Sequence, residues 1–348
     1  MELSEPLAVV TATHWIPEYR QKPADLEPSR RPADPGYTAL AVSESCSGPE
    51  LAVLAGRVAL TAAGWDGADV GLLLYAWSHY QGHDFWSPAH FVAAGVGANS
   101  ALPLGIQQMC NGGAAAVQAA ATFLRGDPRC RRALVGTGDR FAEPGFHRWT
   151  GDYGVAYGDA GTAVLLSTEP DARPRLWLHA IATVAAPQLE AMTRGDDPAA
   201  PAPRWLRGAV DVRTTKKAFL RTLPRNRYAE IERAKLTEVI TTALADAGLT
   251  GDDPRLARVI LPRFHADALD SGYRPLVAEL TPADTVDFGR DTGHLGAGDL
   301  AAGLADLLDQ HLLAPGEYAL VLSAGVGFSW SCAVVSRPVP TERGGDST

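Results

Sequence analysis

The chain has 348 residues, of which 46% are hydrophobic, 20% charged and 7% aromatic, enough to bury one large core or two coupled ones. A formal net charge of −9 argues against a nucleic-acid scaffold or a protein built for anionic membrane surfaces. The four cysteines (Cys46, Cys110, Cys130, Cys332) lie far apart with no C-x-x-C pair. Neither a zinc site nor a disulfide framework is indicated, and a cytoplasmic location is expected.

The N-terminal MELSEPLAVV has an early acid pair and too short an apolar run for a signal peptide. Residues 22–36 and 196–204, rich in Pro, Asp and Ala, are expected to be surface loops, and 338–348 a flexible tail. Strand-like runs at 71–76, 133–138, 162–167, 257–262 and 319–324 alternate with Ala-rich helical patterns, which implies an α/β fold with buried sheets. The longest uncharged stretch, 318–336, is broken by Ser and Gly and reads as buried strands rather than a membrane span.

The stretch QQMCNGGAAAVQAA, residues 107–120, is the most suggestive chemically. Residues 102–106 (LPLGI) read as a short buried strand, and Ala114 to Leu124 as a helix closing at Gly126. Cys110 then stands at a helix start, where unpaired N–H groups and the positive dipole end favour a thiolate. A small buried structural cysteine fits this stretch equally well.

The sequence also repeats itself. RVALTAAGW (57–65) resembles TTALADAGL (241–249) at a constant offset of 184, and the same offset carries Cys110 onto His294 in DTGHLGAGDLAAGLADLL. Each is a reactive residue flanked by glycine at the start of a small-residue helix, followed by a strand ending in glycine. Two related halves are expected to present these residues across one cleft. Chance similarity of Ala-rich helices is the weaker account, because one offset serves two separate segments.

From about residue 50 to 335 the chain resembles the β-ketoacyl-ACP synthase III members of the thiolase superfamily. The resemblance rests on Phe85–Ser87, the Cys110 segment, YGDAGTAVLL at 157–166 and GVGFSW at 325–330. It implies two pseudo-symmetric βαβ halves stacked as α-β-α-β-α layers. The halves are expected at 1–175, carrying the cysteine, and 176–337, carrying its partners. It further implies a homodimer in which Phe85 enters the neighbouring subunit's acyl tunnel, and an acyl donor that is CoA or a phosphopantetheine carrier protein. Arg148 and Trp149 fall near the family's CoA contacts, although the expected arginine position reads Gly151. No tightly bound cofactor, metal, nucleic acid or membrane is expected.

The family pattern is broken where decarboxylation is carried out. Family members use a His from a P-H-Q-A-N-like segment and an Asn from a G-N-x-S-A-like one. Here the Asn position is His294, and in RFHADAL the favoured register puts Phe264 on the His position and Asp267 on the following Asn. A one-residue slip would restore His265. Phenylalanine cannot donate a hydrogen bond to a thioester or enolate oxygen. Cys110, His294 and Asp267 would remain as nucleophile, base and orienting carboxylate, with Asp299 as the alternative orienting acid. Backbone N–H groups of Cys110 and Val326 are the expected oxyanion hole.

The expected reaction is acyl transfer through acyl-Cys110 to a hydroxyl or amine, similar to the synthase-III-like acyltransferases of actinomycete secondary metabolism. The acceptor would be a small molecule such as a glycoside. A decarboxylating synthase using His265, and a non-catalytic partner subunit, are the other readings. His79, His83 and His90 fit no strong metal spacing and read as a polar loop over the pocket, and the basic segment 213–235 as a solvated helix face.

Overall fold

The computed structural model describes residues 1–34, 36–224 and 226–340. Its strands are β1 (Glu2–Trp15), β2 (Arg20–Gln21), β3 (Leu40–Ala41), β4 (Leu72–Ala76), β5 (Leu102–Ile106) and β6 (Arg132–Asp139). They continue as β7 (Ala160–Ser167), β8 (Leu176–Ala185), β9 (Leu256–Ile260), β10 (Asp284–Val286), β11 (Tyr318–Gly325) and β12 (Ser329–Ser336). Strands β2 and β3 pair by themselves; the other ten run in the order β10-β9-β11-β12-β8-β1-β7-β6-β4-β5.

Read outward from the antiparallel β1–β8 seam, the two sides repeat one pattern. In each half two antiparallel pairings are followed by two parallel ones: β1-β7-β6-β4-β5 on one side and β8-β12-β11-β9-β10 on the other. The repeated sequence segments fall on matching helices. Gly48–Ala63 ends at Gly64 with φ 65°, and Arg227–Asp246 runs out at Gly248 with φ 67°, both in the left-handed region that glycine tolerates best.

Strand alternation then sorts side chains into layers. Leu72, Leu74, Val135, Val321 and Val335 face a central core shared with the helices Gly112–Gly126 and Asp299–Asp309. Leu73, Tyr75, Leu134 and Leu165 face outward onto Gly48–Ala63 and Pro88–Gly95. On the far side Val259, Leu320, Leu322 and Val334 pack on Arg227–Asp246 and Arg274–Leu280. Three apolar cores separated by two sheet surfaces give the α-β-α-β-α arrangement of the thiolase fold.

Several expectations need correction. LPLGI forms β5 as expected, but at the end of the sheet, where Leu102 is 52% exposed. The N-terminal residues, which precede the stretch that resembles the family, supply the strand at the seam itself. The Cys110 helix begins earlier than Ala114, at Gly112. Most of the expected tail, 341–348, lies outside the described residues. Among those described, no helix is long and apolar enough to cross a membrane.

The two central helices meet at their starts. A Cβ on Gly113 would lie 2.4 Å from the Ala297 carbonyl oxygen, and Ala297 N–H donates to Asp139 at the end of β6 (2.9 Å). Gly113→Ala should therefore push the halves apart and cost about 1–3 kcal/mol, as overpacking does. Urea denaturation should show the midpoint falling accordingly.

Candidate active site

Cys110 sits on a 3-10 turn, Met109–Asn111, that runs directly into the helix Gly112–Gly126. Met109, just before it, has φ 49°, a costly conformation for a side chain of that size and one that clusters at functional sites. The turn holds the thiol, 5% exposed, within a box of Phe141, Phe146 and Tyr157. Asn111 anchors the turn by donating to Ser329 (3.0 Å) and Ser331 (2.9 Å) on β12. Gly325 packs against the same turn: a Cβ there would lie 2.4 Å from the Asn111 nitrogen. Val326 follows on the cavity wall, beside Cys110.

His294 is fixed by its backbone before its ring is considered. Its N–H donates to Ala156 (2.9 Å) and its carbonyl accepts from Gly158 (2.9 Å), a bridge that aligns it with Tyr157. The ring is buried between Tyr157 and Phe264, each edge-on at 5.4 Å. Nδ1 donates to Asp299 Oδ2 at 2.7 Å, which leaves Nε2 for the cavity and Cys110.

Asp299 in turn accepts from the backbone N–H of Leu295 (2.9 Å) and of Arg263 (2.8 Å). Burial by itself would lower the His294 pKa, but the Asp299 carboxylate and the Cys110 sulfur outweigh it and hold that pKa well above the ordinary value. Burial likewise opposes ionisation of Asp299; His294 and the Arg263 guanidinium reverse the balance and keep its pKa low. Arg263, 3% exposed, is itself paired with Asp306 (2.6 Å) and donates to Thr292 (2.9 Å).

The expected orienting carboxylate is thus the wrong one. Asp267 is exposed, and its backbone N–H donates to His265 Nδ1 (3.2 Å). The reason is local: after Arg263 the chain enters the short helix Ala266–Ala268, with His265 as its N-cap. That turn sends Phe264 to the cavity and to His294, and sends His265 toward Asp34 and edge-on to Tyr37 (5.9 Å). Phe264, and not His265, is the side chain beside His294.

Cys110, His294, Phe264 and Val326 line one cavity of about 390 Å³, together with Tyr157, Tyr228, Tyr273, Phe328 and Trp330. Arg148 and Trp149 are not in it. Arg148 donates to the buried Asp159 (3.0 and 3.1 Å), and Trp149 is buried with its indole N–H on Gln21 (2.9 Å). They wall a separate hollow lined also by Arg30 and Arg140. Phe85 is fully exposed and lines no part of its own chain's cavity. His79 is packed against Phe141 and Phe146 and kept neutral by burial, its pKa lowered to about 4, while His83 lies edge-on to Trp86 and His90 stands in the helix Pro88–Gly95; none of the three lines the Cys110 cavity.

Sequence reasoning missed Lys216, in the segment read as a solvated face. It reaches the cavity and pairs with the buried Asp152, which also accepts from Tyr157 OH (2.9 Å). It missed Arg263 as well, whose only signal was a lone charge at the end of an apolar run.

Comparison with known proteins agrees with this fold. Residues 104–183 match the family model for 3-oxoacyl-[acyl-carrier-protein] synthase III, and 244–337 match the model for its C-terminal part. The chain is 28% identical over 297 residues to a β-ketoacyl-[acyl-carrier-protein] synthase III of Roseiflexus castenholzii (strain DSM 13941 / HLO8), covering 82% of each. Among solved structures, ChlB3, described as an acyltransferase, superposes with a TM-score of 0.84 at 30% identity, covering 96% of this chain and 98% of that one. AbyA1, a tetronic acid condensing enzyme, shares the fold with a TM-score of 0.70 at 23% identity, covering 94% and 99%. The chain belongs to the β-ketoacyl-ACP synthase III-like enzymes.

The proton on His294 should depend on Asp299 and not on Asp267. It stays bound as pH rises through 6.5 and leaves only above that range, because the folded pKa is raised. In Asp299→Asn the desolvation cost is no longer opposed by that carboxylate, so NMR titration of the His294 ring should show its pKa falling from the native value. Asp267→Asn should leave the titration unchanged.

Proposed function

We propose that the protein moves an acyl group from a CoA or carrier-protein thioester through acyl-Cys110 to a hydroxyl or amine of a small-molecule acceptor, without decarboxylation. The observation that carries this reading is Phe264, which stands beside His294 where a decarboxylating relative needs a histidine, while His265 is turned away. The likeness to ChlB3 supports the same side.

Each residue then has one task. Cys110 attacks the thioester carbonyl as the thiolate, with His294 holding a proton, and a C–S bond forms. The oxyanion is stabilised by the N–H groups of Cys110 and Val326. Collapse breaks the donor's C–S bond, and the departing thiolate takes the proton from His294. The imidazole is now neutral and removes the proton of the acceptor hydroxyl or amine as that atom attacks the acyl-cysteine. The second collapse returns Cys110 as thiolate and His294 as imidazolium. Asp299 fixes the ring and stabilises its charged form. The raised His294 pKa suits this order, since the first step needs the proton and the second starts after it has gone.

We infer a homodimer as well: Phe85 is fully exposed, with Trp86 and Phe91 edge-on to one another nearby, a surface that a second copy would cover. Acyl transfer of this kind fits secondary metabolism in the cytoplasm, with a glycoside or related natural product as acceptor.

Incubation with an acyl thioester panel should raise the intact mass by one acyl group in the native protein and not in Cys110→Ala. Labelled malonyl thioester should be transferred without release of CO2; stoichiometric CO2 would instead establish a condensing synthase. His294→Ala should lower turnover roughly 10²- to 10⁴-fold, the scale of general acid–base catalysis, and His265→Ala should change it little.

A further inference from the structure

One wall of the Cys110 cavity carries polar groups that the acyl-transfer steps do not use. Glu232, on the helix Arg227–Asp246, lines the cavity and accepts from Tyr228 OH at 3.2 Å. Among the described residues no cation forms an ion pair with it. Burial pushes its pKa up, as expected of a carboxyl group held against apolar neighbours.

Tyr273 faces the same cavity and is 2% exposed, with only the Trp330 indole N–H directed at its hydroxyl and no acceptor for the phenol proton. The neighbouring Trp330 indole carries only a donor, so nothing there accepts the phenol proton. Leaving a buried hydroxyl unpaired costs free energy unless a ligand completes it. Tyr273 ends a π-helical turn, Leu269–Tyr273, inserted between two stretches of α-helix. Such turns are rare and concentrate at functional sites.

The surroundings restrict what can fill this wall. Tyr228, Phe328 and Trp330 enclose it with ring faces and edges at 5.9 Å spacings, so the ligand's frame must be apolar or flat. A carboxyl that accepts and a phenol that donates are complementary to a group that does both.

We propose that this wall is a hydroxyl-recognition subsite, in which a substrate hydroxyl donates to Glu232 and accepts from Tyr273. The hydroxyl belongs to the acyl group or to the acceptor, both of which must reach Cys110 through this cavity. The assignment rests on the acyl-transfer reading but is measurable without turnover.

The test is calorimetric binding to Cys110→Ala, which cannot be acylated. One arm compares 4-hydroxybenzoyl and benzoyl thioesters of N-acetylcysteamine; the other compares 4-hydroxyphenyl β-glucoside with phenyl β-glucoside. In one arm the hydroxylated member should bind roughly tenfold or more tightly, the scale of a hydrogen bond to a buried group, and the responding arm identifies the source. Adding Tyr273→Phe or Glu232→Leu should erase that preference while leaving the affinity of the unhydroxylated partner within about threefold. Equal affinities in both arms, or a preference that survives both substitutions, overturn the subsite. Failure of native Cys110 to take any acyl mass would overturn the transfer reading instead, independently of these affinities.

Discussion

The site exists because two helices of different halves are allowed to start almost in contact. Gly113 offers no side chain to the Ala297 carbonyl, and Asp139 ties the Ala297 N–H to the end of β6. With those starts held together, Cys110 comes from one half and His294 from the other, at positions related by the internal repeat. The same small residues leave no room for slippage, since protein interiors are packed as densely as organic crystals. The pseudo-symmetric sheet is the frame for this contact. Its seam, β1 against β8, runs between the halves that supply the two reactive groups.

Burying so many ionisable groups is costly, and those that hold Cys110 and His294 in place are compensated pair by pair. Asp299 accepts three N–H groups, one of them the His294 ring; Arg263 is neutralised by Asp306; Asp152 takes Lys216 and Asp159 takes Arg148. Asp139, fully buried and raised to about 6 by that burial, is still held down by backbone donors from Ala297, His79 and Ser78. Removing one member of such a set leaves the other uncompensated, which is why paired burial is more costly to break than to replace. The consequence for chemistry is that His294 keeps a proton at a pH where a free imidazole would lose it.

Much of this was legible in one dimension. Alternating apolar runs and Ala-rich helices specify the layers, because a strand at a period of two must place its side chains on two faces. The repeat at offset 184 pairs Cys110 with His294, and the glycines that follow each mark a helix start. The choice of Phe264 over His265 as the neighbour of His294 was also readable. Composition and spacing thereby pointed to the fold class and to the pairing of Cys110 with His294 in one site.

What the sequence could not decide was direction. Asp267 and Asp299 are both within reach of His294 along the chain, and both suit a carboxylate role. The turn from Arg263 into Ala266–Ala268 rotates Asp267 out to solvent, while the helix start at Asp299 aims its carboxylate back at the histidine five residues earlier. Likewise Lys216 looks like one more cation on a solvated helix until Asp152, distant in sequence, is folded beneath it. A one-residue change of phase in a short turn reverses which side chain is buried, and only contacts between distant segments fix that phase. Sequence therefore determined which chemical groups are present, and tertiary packing decided which of them face one another.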